Sequence, residues 1–362
     1  MHEPTGCFAY VGSRTTRERN ARGDGINVYQ RDGATGRWTH VQMVSGLANP
    51  AYLAFDRSRQ FLYAVHGDLS DISAFQVASS GKLTFVNSAS TAGKNPVHLS
   101  IDPSNRFIVV ANHISSTVVL IARNPDGSVG SVADQVTLTG QIGPHRIEQP
   151  FSKPHQVALD PSERFVVVPD KGLDQVFTLR IDAEAGKLSL LDSGTPRSRD
   201  GSGPRHVAFH PGGAFAYVVG ELDSSITAYR FDQTTGKLTP FQYVSTLPDT
   251  FVGDSRASEV ACTRDGRFLY ASNRGHDSIV SFSIDPGNGR LTPRGWTPSQ
   301  GKTPRFFALD PTEQWLFVAN EDSDSIVPFR TDARSGGLTP TGAVVRSGSP
   351  VCIVFATLGG KA

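Results

Sequence analysis

A motif repeated along almost the whole chain is the strongest constraint that this sequence places on its fold. Each copy begins with a short apolar run, continues through an Asp-Pro-Ser or Arg-Asp-Gly type of turn, and ends in a second run rich in Phe, Val and Tyr. The copies start at Pro50, Pro96, Pro154, Pro204, Ala257 and Pro304, with a partial copy at Pro350, so successive starts lie 46, 58, 50, 53, 47 and 46 residues apart. A repeat of this kind indicates one structural unit used many times.

Each complete copy contains four strand-like stretches. A third, alternating stretch such as "SSITAYR" follows the first two, and a turn of the "GKLT" type leads into a fourth. Four short strands in about 40 to 50 residues are typical of a β-propeller blade. The 36 glycines and 23 prolines also fit many short strands and turns better than a helical protein.

The two ends of the chain supply the strands of one further blade. The last copy contributes only "PVCIVF", while "CFAYVGS", "GINVYQR" and "RWTHVQMV" near the amino terminus have no other partners. Joining them completes a seventh blade and leaves no unpaired strand edge at the ring junction. The sequence therefore predicts an all-β, seven-bladed β-propeller with four-stranded blades, forming a single domain over residues 1–362. Two β-sandwiches, the alternative, would leave both terminal pieces unpaired.

Composition excludes several classes of function. The formal net charge is +1, and "RTTRERNAR" (residues 14–22) is predicted to be a solvated loop, so nucleic acid is not an expected partner. No apolar run approaches the roughly 18 residues of a membrane span, and the amino terminus lacks the pattern of a signal peptide. Three widely separated cysteines predict buried free thiols, with neither disulfides nor a zinc site, and a cytoplasmic location. The oligomeric state stays open.

Charged residues fall at one end of the predicted strands. The innermost strand of a blade crosses the disc and the second strand returns, so residues sixteen positions apart, such as Arg205 and Glu221, reach the same face. This offset places seven charged or titratable residues around one mouth of the central channel: His155, Lys171, Arg205, Glu221, Arg274, Arg305 and Glu321. The other ends of the strands carry ordinary turn residues.

Neighbouring positions add further polar residues to this mouth, namely His98, Gln156, His206, Glu259, Asn112, Asp170, Asn273 and Asn320. A single polar residue at a strand end is usually a hydrogen-bonded surface group, and His98 and His206 could simply bond neighbouring strands. The three asparagines are expected to cap the backbone, and Asp102, Asp160 and Asp310, each before a proline, to form turns. Many charges sharing a narrow channel are costly unless they are paired or bind a ligand, which points to a site.

Several segments resemble the seven-bladed propeller lactonase family, which includes the propeller type of 6-phosphogluconolactonase and the fungal carboxymuconate-lactonising enzyme. These segments are "PHQVALDPSERFVVVPDKGLDQV", "GPRHVAFHP", "GELDSS" and "ASNRGHDSI", and the similarity covers nearly the whole chain. The resemblance implies a catalytic group of His155, Arg205, Glu221 and Arg274. Lys153 departs from the family pattern, because many members carry a second histidine there. The long step into the third copy, which starts at Pro154, matches an extra loop beside the mouth. His145 in this loop could overhang the site, but it is expected to be an ordinary surface histidine.

The resemblance implies a lactonase acting on an anionic sugar-acid lactone, with 6-phosphogluconolactone as the leading candidate. Glu221 or His155 is the candidate general base, and Arg205 and Arg274 are candidates for binding the oxyanion and anionic groups. Arg305 is expected to bind the phosphate, and the remaining substrate-binding residues are expected to be His98, Lys171, His206 and Glu259. No metal or cofactor is expected, since neither a spaced set of ligands nor a nucleotide-binding loop is present.

Two other functions remain open at this point. A cycloisomerase that closes a muconate-type diacid to its lactone would use the same acid–base pair and the same arginines. A non-catalytic propeller that binds a partner protein would instead present an aromatic or apolar rim, whereas the predicted rim is charged.

Overall fold

The computed structural model describes residues 6–191 and 196–358, which form seven β-sheets arranged as the blades of a ring. Blade 1 joins the two ends of the chain, and blades 2 to 7 follow in chain order. Two short 3-10 helices, Arg17–Arg19 and Glu321–Ser323, lie in loops of the described part. None of the helices in these residues is long and apolar enough to cross a membrane.

From the channel outwards, the strands of each blade follow in chain order, except that blade 1 begins with the last strand of the chain. Blade 1 contains Pro350–Leu358, Gly6–Ser13, Gly25–Arg31 and Trp38–Ser45; blade 2 contains Pro50–Phe55, Phe61–His66, Asp71–Val77 and Leu83–Ser90; blade 3 contains Pro96–Ile101, Phe107–Asn112, Thr117–Arg123 and Val129–Thr137. Blade 4 contains Ala158–Leu159, Val166–Asp170, Gln175–Asp182 and Lys187–Leu190; blade 5 contains Pro204–Phe209, Phe215–Gly220, Ser225–Phe231 and Leu238–Ser245. Blade 6 contains Arg256–Cys262, Phe268–Arg274, Ser278–Ile284 and Leu291–Pro298; blade 7 contains Pro304–Leu309, Trp315–Asn320, Ser325–Thr331, Leu338–Pro340 and the short Val345–Arg346.

The ring closes as predicted from the sequence. Pro350–Leu358 pairs antiparallel with Gly6–Ser13, and Ala9 faces Phe355 in that ladder. The seven blades with four-stranded sheets are therefore confirmed. Blade 7 differs slightly, because Val345–Arg346 adds a fifth short strand beside Ser325–Thr331.

Apolar side chains fill every interface between adjacent blades. Clusters of buried residues join blades 7, 1 and 2, then blades 2 and 3, 3 and 4, 4 and 5, 5 and 6, and 6 and 7. Buried tyrosines add a repeated polar link: the hydroxyl groups of Tyr10, Tyr63 and Tyr217 donate to carbonyl groups in a turn of the next blade, at 2.9, 2.8 and 2.9 Å. Burial of these apolar side chains is the main favourable contribution to folding, so the stability of each blade depends on its neighbours.

Removing residues 348–362 is expected to prevent cooperative folding. The deletion takes away Pro350–Leu358, which carries the buried Val351, Cys352 and Ile353, and leaves the inner edge of Gly6–Ser13 unpaired. Losing several buried side chains costs roughly 5 kcal/mol or more, which is comparable with the whole stability of a domain. Thermal and urea unfolding followed by circular dichroism test this. Thr357→Ala, which alters an exposed side chain of the same strand, is the control and should unfold like the wild type. A cooperative native-like transition in the deletion would contradict the expectation.

A β-bulge near the start of the innermost strand shapes the channel. In blades 2, 3, 5 and 7 the ladder slips by one residue directly after the anchor proline, and the extra residues are Ala51, Val97, Arg205 and Arg305. A bulge re-aims the side chains around it, and bulges are frequent beside active sites. In blade 5, both Arg205 and His206 consequently reach the channel, although neighbouring residues of a regular strand point to opposite faces.

The strand pairing confirms the predicted sixteen-residue offset. Pro204 pairs with Gly220 in blade 5 and Pro304 pairs with Asn320 in blade 7, and an isolated bridge joins Pro154 to Asp170 in blade 4. Arg205 and Glu221 are the next residues after one such pair, and the Glu221 amide donates to the carbonyl of Gly203 at 2.8 Å. The starts of the inner strands and the ends of the second strands therefore meet at one mouth.

Candidate active site

Cationic and imidazole side chains line a small cavity at this mouth. They are Arg14, His155, Arg205, His206 and Arg305, and apolar or aromatic residues complete the wall. The enclosed volume is about 20 Å³, room for about one water molecule. A molecule larger than water does not fit inside this cavity and would have to lie outside it, where it opens to the mouth.

Glu221 lies at the centre of a buried ion-pair cluster. Its Oε1 lies 2.7 Å from Lys171 Nζ, and its Oε2 lies 3.1 Å from Arg205 Nε and 3.2 Å from Arg274 Nη2. Burial alone would raise the pKa of Glu221, but Arg274, Lys171 and Arg205 together hold that pKa well below its usual range. Glu221 is therefore ionised at neutral pH and holds three cations in place.

The two arginines are also fixed by the backbone of blade 6. Arg205 Nη1 donates to the carbonyl of Ser258 at 2.7 Å, and Arg274 Nη2 donates to the carbonyl of Ala257 at 3.1 Å. Burial, together with Arg305 and Arg274, lowers the pKa of Arg205 to about 9. These contacts preorganise two planar donor groups in a site largely excluded from water, which favours stabilisation of developing negative charge.

Four histidines form a row across the channel. The ring centroids are 5.2 Å apart for His113 and His155, 5.1 Å for His155 and His206, and 5.8 Å for His206 and His98. Burial lowers the pKa of His98, His155 and His206 well below the usual range, and Arg205 lowers each further. These imidazoles are consequently neutral, the state in which a ring nitrogen can accept a proton.

His206 is oriented by a buried carboxyl group. Its Nδ1 lies 2.9 and 3.1 Å from the two oxygens of Glu259, which leaves Nε2 as the ring nitrogen available to the cavity. Burial raises the pKa of Glu259 to about 8 against the opposing effect of Arg205. A histidine positioned in this way by a carboxyl group has the arrangement of a general base and its orienting residue.

The long loop before blade 4 reaches the cluster through Glu148. The two oxygens of Glu148 lie 2.9 Å from Lys171 Nζ and 2.7 Å from Arg256 Nη1, so Lys171 bridges Glu148 and Glu221. His145, which was expected to be a surface histidine, is exposed, and its Nδ1 accepts a hydrogen bond from the Glu148 amide. The loop thus supplies a carboxylate to the mouth.

Comparison with known proteins identifies the family. The family model "Lactonase, 7-bladed beta-propeller" matches residues 8–355. The chain belongs to this family. A 6-phosphogluconolactonase of Bacillus subtilis (strain 168) is 34% identical over 313 residues, covering 85% of this chain and 86% of the relative. A 6-phosphogluconolactonase of Formosa agariphila is 32% identical over 317 residues, covering 84% of this chain and 87% of the relative. The structure of the periplasmic gluconolactonase of Pseudomonas aeruginosa superimposes with a TM-score of 0.90 at 29% identity, covering 98% and 99% of the two chains.

The sequence-based prediction for Arg14 of this propeller lactonase is wrong. Residues 14–22 were expected to form a solvated loop, which is correct for the exposed Arg17 and Arg19 but wrong for Arg14. Arg14 is only 6% exposed and lines the cavity. It follows Gly6–Ser13, just as Glu221 follows Phe215–Gly220, but the inner strand of its blade comes from the other end of the chain. The sixteen-residue offset was counted within one continuous copy, so it could not place Arg14 at the mouth. Applying the same strand register to the blade formed by the two chain ends would have placed it there.

The other polar residues predicted from the repeat have structural contacts in the lactonase. The side chains of Asn112, Asn273 and Asn320 donate to the carbonyl groups of Thr91, Thr246 and Ser299 at 3.0, 2.8 and 3.0 Å, which confirms backbone capping and ties each to the preceding blade. The carboxylates of Asp102, Asp160 and Asp310 accept backbone amides within their turns, as expected. The side chain of Gln156 accepts the amide of Val207 at 2.6 Å.

Lys153 and the three cysteines also have defined surroundings in the structure. Lys153 is buried, and its Nζ lies 5.1 Å from the centre of the Phe151 ring, so the departure from the family histidine places a cation against an aromatic ring. Cys7, Cys262 and Cys352 are free thiols, and Cys352 is buried as predicted, but Cys7 and Cys262 are only partly buried, so the predicted burial is wrong for these two. Within residues 6–191 and 196–358, no group of three or more His, Cys, Asp or Glu side chains is arranged to hold a metal ion. The cytoplasmic location stays a prediction.

A larger recess of about 470 Å³ lies on the opposite face of the disc. It is lined by turn residues such as His210 and Arg267 and by strand residues such as Arg294. It is a competing location for a ligand.

Proposed function

We propose that this chain hydrolyses the lactone of a sugar acid at the charged mouth of its channel, with 6-phosphogluconolactone as the leading substrate. The proposal rests on one observation: Glu221 holds Arg205 and Arg274 in place by ion pairs. These arginines lie beside the neutral imidazoles of His155 and His206. The names of the two curated relatives support the choice of substrate.

Hydrolysis adds one water molecule across the ester bond of the ring. A neutral imidazole accepts a proton as the water oxygen bonds to the carbonyl carbon, and negative charge develops on the carbonyl oxygen. Collapse of this intermediate breaks the bond between the carbonyl carbon and the ring oxygen, and the imidazolium returns its proton to that oxygen. The product is the open-chain sugar acid. General acid–base catalysis of this kind typically contributes about 10²- to 10⁴-fold.

The ion pairs of Glu221 decide its role within this proposal. Both of its oxygens are engaged by cations, whereas His155 Nδ1 has no hydrogen-bond partner within the described residues, so of the two bases considered from the sequence His155 is favoured over Glu221. His206 is a second candidate, because Glu259 orients its ring. Glu221 then serves to hold Arg205 and Arg274 where the oxyanion forms. The negative charge that develops on the carbonyl oxygen would also stabilise an adjacent imidazolium.

A panel of substrates tests the proposed function. Purified wild-type protein should release acid in a pH-stat from 6-phosphoglucono-δ-lactone above the uncatalysed rate, while muconate absorbance reports any cycloisomerase activity. We expect His155→Ala to lower kcat/KM by about 10²- to 10⁴-fold, whereas His210→Ala, on the opposite face, should leave it unchanged. No hydrolysis of any lactone, with turnover of a muconate, would favour the cycloisomerase. No turnover of either class would favour a binding protein.

A further inference from the structure

The cavity has more positive charge than the carboxylates around it can balance. Three guanidinium groups line it, those of Arg14, Arg205 and Arg305, whereas no carboxylate of the described residues belongs to its wall. The partner of Arg205, Glu221, is already shared with Lys171 and Arg274. Glu221 therefore contributes little to balancing the other two arginines.

Arg14 and Arg305 are held only loosely. Arg14 Nε lies 3.5 Å from one oxygen of Glu321, and Arg305 Nη1 lies 3.7 Å from the other, so two cations share one carboxylate. Both distances exceed the roughly 2.7 to 2.9 Å of a charge-assisted hydrogen bond. Burial and the nearby Arg305 lower the pKa of Arg14 to about 9, as expected where positive charge is undercompensated.

One buried donor nitrogen of Arg14 is not satisfied. Its side chain is 8% exposed, and Nη1 has no hydrogen-bond partner within residues 6–191 and 196–358. Asp68 lies 3.5 Å from this nitrogen but is itself engaged by Arg19 Nε at 2.8 Å. An unpaired buried charged donor is costly, and a bound anion would remove that cost.

We infer that Arg14 and Arg305 form a subsite for an anionic group, phosphoryl or carboxylate, carried by the lactone. Planar guanidinium groups bind such oxygens in pairs. The two residues come from the adjacent blades 1 and 7, while Lys171, Arg205 and Arg274 come from the neighbouring arc of blades 4, 5 and 6. A ligand can thus place its anionic group on the arc of blades 7 and 1 and its carbonyl group on the arc of blades 4 to 6. The Arg305 side chain is 20% exposed, so the subsite is reachable from solvent. The assignment to a lactone rests on the proposed function, whereas anion binding does not.

Substrate discrimination tests the inference. Arg14→Met and Arg305→Met are each expected to lower kcat/KM for 6-phosphoglucono-δ-lactone by about 10- to 100-fold, the effect of losing one hydrogen bond to a charged group. Hydrolysis of the uncharged glucono-δ-lactone should change by less than about threefold, since the catalytic side of the mouth is untouched. A muconolactone in a third arm shows whether a carboxylate is bound instead. An equal loss on charged and uncharged lactones, or no loss on either, would overturn the inference.

Ion binding gives a readout that is independent of turnover. Inorganic phosphate should raise the melting temperature of the wild type, and this shift should be lost in Arg305→Met and in the more conservative Arg14→Gln. Arg267→Met, on the opposite face, is the matched control and should keep the shift. If the wild type hydrolyses no lactone but phosphate still binds through Arg14 and Arg305, the proposed function fails and the anion subsite stands. If Arg267→Met alone abolishes the shift, the subsite is wrong.

Discussion

Arg205→Ala should lower kcat/KM for lactone hydrolysis by about 10²- to 10⁴-fold, the loss expected when a preorganised donor to the oxyanion is removed together with its charge. The melting temperature should change by only a few degrees. Arg205 is paired with Glu221, but it is also repelled by Arg305 and Arg274, so its removal relieves repulsion as well as breaking a contact. Steady-state kinetics and thermal unfolding on the same preparation measure both quantities.

Arg57→Ala is the matched control for Arg205→Ala. Arg57 pairs with Glu163 at the surface, where both side chains are more than a third exposed, and a pair of this kind contributes about 0 to 1 kcal/mol. Both activity and melting temperature should therefore stay close to wild type. Near-normal turnover by Arg205→Ala on every lactone that the wild type accepts would show that the site assignment is wrong.

Glu221→Gln should affect stability as well as activity. The substitution leaves Lys171, Arg205 and Arg274 without the carboxylate that they share, and removing one partner of a buried ion pair costs about 3 to 5 kcal/mol. Activity should fall at least as far as in Arg205→Ala, because both arginines lose their anchor. Denaturant unfolding at pH 7 measures the loss, with Glu163→Gln as the surface control.

The stability difference should depend on pH in a defined direction. The pKa of Glu221 is lower in the folded protein than the value of about 4.3 for an unperturbed glutamate. Its stabilising contribution is therefore fully present above about pH 5, and it is lost as the pH falls through the folded pKa. The gap between wild type and Glu221→Gln should shrink in acid. A gap that is absent at pH 7, or that widens as the pH falls, would contradict the assigned ion-pair cluster.

The fold was predictable because the repeated sequence pattern determines how the strands of each blade pair. Alternation of apolar residues fixes which face of each strand is buried, and the turn residues fix its length, so the return of Glu221 to the height of Arg205 follows from counting. The closing blade was predictable too, since "PVCIVF" and the amino-terminal strands had no other partner.

The rest of the site depends on structural features that cannot be obtained by counting residues along the repeat. A regular strand would point Arg205 and His206 to opposite faces, and only the bulge brings both to the channel. Glu148 lies in an irregular loop, and its approach to Lys171 follows from tertiary structure alone. The protonation states also arise in three dimensions, because burial and three cations together set the pKa of Glu221.

A crystal structure of the wild-type protein with 6-phosphogluconate, the product of the proposed reaction, tests the central claim most directly. We predict that the carboxylate of the product lies within hydrogen-bond distance of Arg205 and faces His155 and His206 at the mouth. The phosphoryl group is predicted to contact Arg14 and Arg305. Binding of the product in the recess on the opposite face, beside His210 and Arg267, would contradict this assignment.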